Sequence, residues 1–200
     1  MAREDGRCSA ARPLAIGVAL LVVACSSPDP AQITTGVLCS ALPAGTDPGA
    51  PVLIQTDPPA VALTWIPVLT TFEAAVRAAG MTEELDGTTV LAPSNDAFDA
   101  VLSEATLDDL FLHRTEELRD LLEAHVVEGA HTQVQLLAAG DVTARSGDTF
   151  NVTDAEGMAR IGPATAVCAD YRANGARIHV IDAVLGDLPT PAPDDEPGVG

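Results

Sequence analysis

The sequence predicts an α+β domain over residues 61–188. Two observations carry this. Apolar residues recur at helical spacing in the first half of that span. The second half breaks into short apolar runs separated by turn signals. Helices first and strands later exclude the alternating pattern of a parallel βαβ sheet.

The elements follow in order. Residues 40–60 are rich in Pro, Gly, Thr and Asp, with one apolar patch at Pro51-Val52-Leu53-Ile54. They read as a loosely structured arm, with regular structure starting near Trp65. Leu69, Phe72, Val76 and Ala79 share a helical face, and Gly80 stands where a C-cap belongs. Thr82 is placed to cap a short helix through Leu85. Thr88 to Pro93 is a short strand stopped by proline. Ser94 caps the next helix, whose apolar side holds Phe98, Val101 and Leu102. Thr106 with Asp109 resembles a capping box for another helix. A longer helix runs from about Thr115 to Ala124, with Leu118, Leu121, Leu122 and His125 on one face.

Val126-Val127 begins extended chain. Gln133 to Ala139 gives a short helix closed by Gly140. Turns are expected at Ser146-Gly147-Asp148, Ala155-Glu156-Gly157, Gly162-Pro163 and Asn174-Gly175. The last separates two strands and suggests a hairpin. The tail 189–200 is acidic and proline-rich, and is expected to be disordered.

Composition narrows the function. All ten basic residues are Arg, against 29 acids, for a formal charge of -19. Such a surface repels phosphate backbones, which excludes a nucleic-acid partner. It also favours a soluble monomer. Enzyme signatures are missing: there is no Gly-x-Ser-x-Gly elbow, no phosphate-binding glycine loop and no His-Glu-x-x-His. No catalytic residue, cofactor or metal site is expected.

The amino terminus reads as an export signal. Arg3, Arg7 and Arg12 precede an apolar run from Leu14 to Ala24. That run is too short to span a bilayer as a mature helix, and suits a signal h-region. It ends in Leu21-Val22-Val23-Ala24-Cys25, which resembles the lipobox of bacterial lipoproteins. The resemblance implies cleavage after residue 24 and acylation of Cys25, which would attach the chain to a membrane. Residues 25–60 then form a tether and arm.

Four cysteines are present, at 8, 25, 39 and 168. Cys8 would leave with the signal and Cys25 would carry lipid. Cys39 and Cys168 remain in an oxidising compartment and are expected to pair. A zinc site is the competing reading, without any finger-like spacing to support it.

Three segments resemble the fasciclin I (FAS1) domain family. Thr89-Val90-Leu91-Ala92-Pro93-Ser94-Asn95-Asp96-Ala97-Phe98 is very similar to its first signature. Ile178-His179-Val180-Ile181-Asp182-Ala183-Val184-Leu185 is similar to the second. Leu121 to Gly129, with His125 at its centre, matches the family's histidine motif. The resemblance covers about residues 60–188. Val167-Cys168 followed by Ala173-Asn174 also resembles small secreted bacterial members, whose late cysteine bridges an early one.

The resemblance implies a wedge-shaped fold, a twisted β-sandwich against several short helices. It implies an adhesion module outside the cell with no general catalytic activity. Two departures stand out. Ala124 and Val126 flank His125, where the family often has a tyrosine, which weakens the case for integrin-type recognition. Arg145-Ser146-Gly147-Asp148 only approaches an Arg-Gly-Asp tripeptide.

Structural roles outweigh functional ones for the motif residues. Asn95 and Asp96 open a helix, where their oxygens can meet unpaired N–H groups and the helix dipole. His125 is expected to be buried with one or two hydrogen bonds. Asp182 follows an apolar strand and can orient a turn, although its segment contributes to adhesion in some animal relatives. His179 faces one side or the other according to strand register. The leading reading is an envelope-anchored module that binds an extracellular protein or polysaccharide. The alternative is a carrier or sensor of small apolar ligands.

Overall fold

The structure, a computed structural model, describes residues 34–191. The expected signal segment, Cys25, the expected tether through residue 33 and the tail from residue 192 lie outside the described residues.

Seven α-helices, two single-turn 3-10 helices and seven strands are present among the described residues. The helices are α1 (Pro51–Ile54), α2 (Pro59–Thr64), α3 (Thr70–Ala78), α4 (Asn95–Asp99), α5 (Glu104–Leu112), α6 (Thr115–Glu123) and α7 (Gln133–Ala139). The strands are β1 (Thr88–Pro93), β2 (Val126–Glu128), β3 (Asp141–Thr143), β4 (Thr149–Ala155), β5 (Met158–Ile161), β6 (Ala164–Ala173) and β7 (Ala176–Ile181).

The strands form one continuous sheet, in the order β2-β1-β7-β6-β5-β4-β3. Only β1 and β7 run parallel, with Leu91 opposite His179. β1 is buried on both faces along its whole length, which is why Thr-Thr-Val-Leu-Ala-Pro lacks polar alternation. The sheet curls until its outer strands meet. Val127 of β2 bridges Ala144 just beyond β3, and the Arg145 N–H donates to the Val126 carbonyl at 2.7 Å. β6 supplies part of the bend through two register shifts, between Ala166 and Cys168 and between Cys168 and Tyr171.

Two apolar clusters result. One lies between the sheet and helices α2 to α6, and contains Phe72, Phe98, Leu118, Val90, Tyr171, Ile178 and Val180. The other fills the inside of the curled sheet, with Leu91, Val127, Val152, Ile161, Ala166 and Ile181. α7 packs on β3, β4 and β5 and inserts Leu136 into it. The alternation along β1 and β7 thus feeds both clusters from the same two strands.

The expected helices over residues 70–78, 115–123 and 133–139 are present. Gly80 and Gly140 take positive φ of 69° and 75° at their ends. Three expectations change. Residues 82–87 form tight turns, not a helix. Met81 and Leu85 are both fully buried, and the few residues between them cannot propagate a helical nucleus. The cap of α5 is Ser103, which accepts from the Thr106 N–H at 3.1 Å. Thr106 sits inside the first turn, and Asp109 pairs with Arg114 at 3.2 Å.

The third change concerns the arm. Residues 40–60 are built into the fold, with Leu42 and Ile54 in the helix-side cluster and Ala50 fully buried. Pro51 and Pro59 are first residues of α1 and α2, a position where the missing N–H costs nothing. Proline read as a loop signal was a helix-start signal. The arm is also tied to β6. Cys39 and Cys168 form a disulfide with 5.1 Å between Cα atoms. Leu38 N–H donates to the Val167 carbonyl at 2.9 Å, and Thr35 pairs with Ala169. Gly36 is required here, since a Cβ would lie 2.2 Å from the Val167 oxygen. Closing a loop of 129 residues is worth about 5 kcal/mol in the chain-entropy view.

Candidate functional site

The motif residues of the two signatures and the central histidine converge on the shared strands β1 and β7 and the elements that flank them. His125, Asn95, Thr89 and Asp182 are each placed by a bond to a distant part of the chain.

His125 follows α6 and is fully buried. Its Nδ1–H donates to the Leu121 carbonyl at 2.9 Å. Its Nε2 accepts from the Leu185 N–H at 2.9 Å. The two partners fix the ring as the neutral Nδ1–H tautomer. Its own carbonyl accepts from Leu91 N–H at 2.8 Å. The ring meets Phe72 edge-on, with centroids 6.1 Å apart. Burial lowers its pKa to about 4, opposed in part by the bond to Leu121.

Asn95 serves a helix other than its own. Its Oδ1 accepts from Thr71 N–H at 3.0 Å, and its Nδ2 donates to Thr70 Oγ1 at 2.9 Å. It therefore caps α3, whose N-cap position holds Leu69 with no side-chain bond. Ser94 caps α4 through Ala97 N–H at 3.2 Å. Asp96 is exposed in the first turn of α4, where a carboxylate complements the dipole. Phe98 is fully buried in the helix-side cluster. Pro93 closes β1 opposite Ile181.

Thr89 holds the loop after β2. Its hydroxyl donates to the Gly129 carbonyl at 2.6 Å and accepts from His131 N–H at 2.8 Å. Asp182 accepts from Thr165 N–H through Oδ1 at 2.6 Å, and its own N–H donates to the Thr165 carbonyl at 3.1 Å. It pins the start of β6 to the end of β7.

The register puts His179 on the inner face, opposite Leu91. Its Nε2–H donates to the His131 carbonyl at 2.9 Å and its Nδ1 accepts from Asp170 N–H at 3.3 Å. Burial lowers its pKa as well. Sequence reasoning missed the rest of this network. Asp170, at φ 70° in the β6 irregularity, accepts from the N–H of Gln133 at 2.9 Å. The Gln133 amide then joins the Gly157 carbonyl and Ala159 N–H, at 3.1 and 3.2 Å. The signal for α7 was legible as Thr132-x-x-Gln135, a capping box that is present in the structure. Nothing local marks Asp170 or Gln133.

The near Arg-Gly-Asp segment is also committed internally. Arg145 pairs with Glu128 at 2.8 Å and with Glu84 at 3.4 Å. The Ser146 hydroxyl donates to Asp148 Oδ2 at 2.8 Å. Among the described residues no group of three or more His, Cys, Asp or Glu is placed to hold a metal ion. None of their helices is long and apolar enough to cross a membrane.

This geometry stands beside a direct family match. The Fasciclin domain model matches residues 67–188, and the chain belongs to that family. It is 37% identical over 119 residues to Protein sll1483 of Synechocystis sp., covering 58% of this chain and 65% of that one, just under two thirds. It is 32% identical over 181 residues to Immunogenic protein MPB70 of Mycobacterium bovis, covering 86% of this chain and 91% of that one. It is 34% identical over 119 residues to Transforming growth factor-beta-induced protein ig-h3 of Sus scrofa, covering 58% of this chain and 17% of that one.

Two measurements follow. Asn95→Ala is expected to lower stability in urea by about 1–2 kcal/mol, because it uncaps α3 and breaks the link from α4. Asp96→Ala is expected to change it by less than about 0.5 kcal/mol. Equal losses would contradict the cap assignment. The second concerns pH. His125 returns to about 6.5 in the unfolded chain, so the unfolded state takes up the proton first. Its contribution is complete above pH 6.5, declines as pH falls, and is exhausted below about 4. The span corresponds to about 3 kcal/mol. Denaturation in urea across that range is expected to show the decline, and His125→Gln to flatten it; an equal slope in both proteins would contradict the assignment.

Proposed function

We propose that this chain is an exported adhesion module, held to the cell envelope by an acylated Cys25 and binding a protein or polysaccharide outside the cell without performing chemistry. The observation that carries the reading is the inward use of the motif residues. Both nitrogens of His125 are bonded to the backbone. Thr89, Asn95 and Asp182 likewise hold backbone groups of neighbouring elements. A general base needs a nitrogen or oxygen within reach of a substrate proton. These groups face carbonyls and N–H groups of their own chain. Recognition therefore falls to the outer surface, as in a binding module.

The family membership supports the same reading by analogy, as does the lipobox-like run before Cys25. The carrier of small apolar ligands has less support. Ala, Val, Leu and Ile side chains fill the two clusters. Two depressions with apolar lining open to solvent: one beside α2 and α3, lined by Ala60, Val61, Leu63 and Val76 together with Glu73 and Arg77, of about 280 Å³, and one beside α5, lined by Val101, Leu102, Pro189 and Pro191, of about 330 Å³. Both sit at the small end of ligand sites, about 300–1,000 Å³.

Deletion of the gene is expected to reduce surface attachment and cell aggregation, with recovery on return of the full-length gene. Unchanged attachment and aggregation in the deletion strain would overturn the adhesion reading.

A further inference from the structure

Nine large apolar side chains are exposed among the described residues, and five of them, Val37, Val52, Leu53, Val61 and Trp65, precede residue 66, in the stretch between the described N-terminal end and the sheet. The other four, Val101, Leu112, Val134 and Leu188, are spread singly over the rest of the chain. Val52 and Leu53 lie on α1, with Ile54 turned into the core. Val61 lies on α2 and Trp65 is its C-cap residue, one turn further on and on the same face. The backbones of the two helices come together: a Cβ on Gly49, two residues before α1, would lie 2.2 Å from the Trp65 carbonyl oxygen.

The same stretch is nearly uncharged. From Thr34 to Ile66 the charged residues are Asp47 and Asp57. The acids that give the chain its charge of -19 lie mainly beyond it. An apolar, charge-poor face with one tryptophan on an otherwise acidic protein fits a lipid interface. Trp favours the headgroup boundary, and aliphatic side chains enter the acyl region.

The length of chain before the structure fits as well. Cys25 lies nine residues before Thr34. Nine extended residues reach at most about 32 Å. Residues 35–39 are fixed along β6 by the Thr35–Ala169 bridge and the Cys39–Cys168 disulfide. α1 packs on β6 too. The tether thus enters the fold on the strand that carries α1.

We propose that the exposed face of α1 and α2 lies on the outer leaflet of the membrane that anchors the chain, with Trp65 at the lipid interface. This rests on the acylation of Cys25 proposed above. A lipid anchor gains firm attachment from a second membrane signal, and this face is that signal. It also fixes which side of the domain faces outward: the side away from α1 and α2 is left for the partner.

Trp65 is the only tryptophan, so its emission reports this face alone. Full-length protein purified from its own membranes is placed in phosphatidylcholine vesicles, with and without lipids brominated on the acyl chain. Its denatured mass reports acylation. An acylated protein that loses most of its Trp65 emission to brominated lipid supports the proposal. The double variant Val52→Asp, Leu53→Asp is then expected to stay acylated and vesicle-bound but to recover its emission. An acylated, vesicle-bound protein with unquenched Trp65 overturns the proposal and leaves the anchor standing; the face then belongs to a second copy or a protein. A mass without acylation removes the anchor, and the proposal fails with it.

Discussion

The fold depends on one buried imidazole. His125 receives and gives hydrogen bonds to three separate pieces of backbone: α6 through Leu121, β1 through Leu91, and the segment after β7 through Leu185. The ring is fully buried, so without it the Leu121 carbonyl and the Leu185 N–H would lose their side-chain partner in an apolar interior, while the Leu91 bond is made by the main chain of residue 125. An apolar residue at 125 would fill the space and orphan the Leu185 N–H. The surroundings are built around that contact. Gly186 takes φ 78°, and a Cβ there would sit 2.7 Å from the Ala124 Cβ.

The other motif residues extend the same device. Asn95 reaches back 24 residues to start α3. Thr89 holds a loop 40 residues ahead of it. Asp182 locks β6 to β7, and His179 with Asp170 and Gln133 ties α7 and the β4–β5 turn to the inner face. Each cross-link joins parts of the chain that local preference alone would leave apart. A chain with 3% aromatic residues has few large side chains to define register by shape. Specific polar bonds at a few points supply that definition.

Much of this was legible in the residues, and the remainder has a physical reason. α3, α6, α7, β1 and the glycine turns were readable because their signals are local: apolar spacing, caps and positive-φ positions. The region 40–60 was misread because its prolines start helices there and its stability comes from β6, more than a hundred residues away. The α5 cap was misplaced by three residues because two hydroxyl residues, Ser103 and Thr106, both precede the same apolar run. At the candidate site the residues were identified and their partners were not. Asn95 looked like the cap of its own helix, and only the tertiary fold gives it to α3. Asp170 and Gln133 carried no signal, since their roles exist only once β6 and α7 are side by side.

The central claim is that the histidine motif is a structural lock. Nitrogen NMR of the His125 ring tests it most directly, because tautomer and titration are read from the same signals. A protonated Nδ1, an unprotonated Nε2 and no titration until the pH falls to about 4 are expected. A ring that titrates near 6.5, or carries its proton on Nε2, would place His125 in contact with solvent or a ligand and contradict the account.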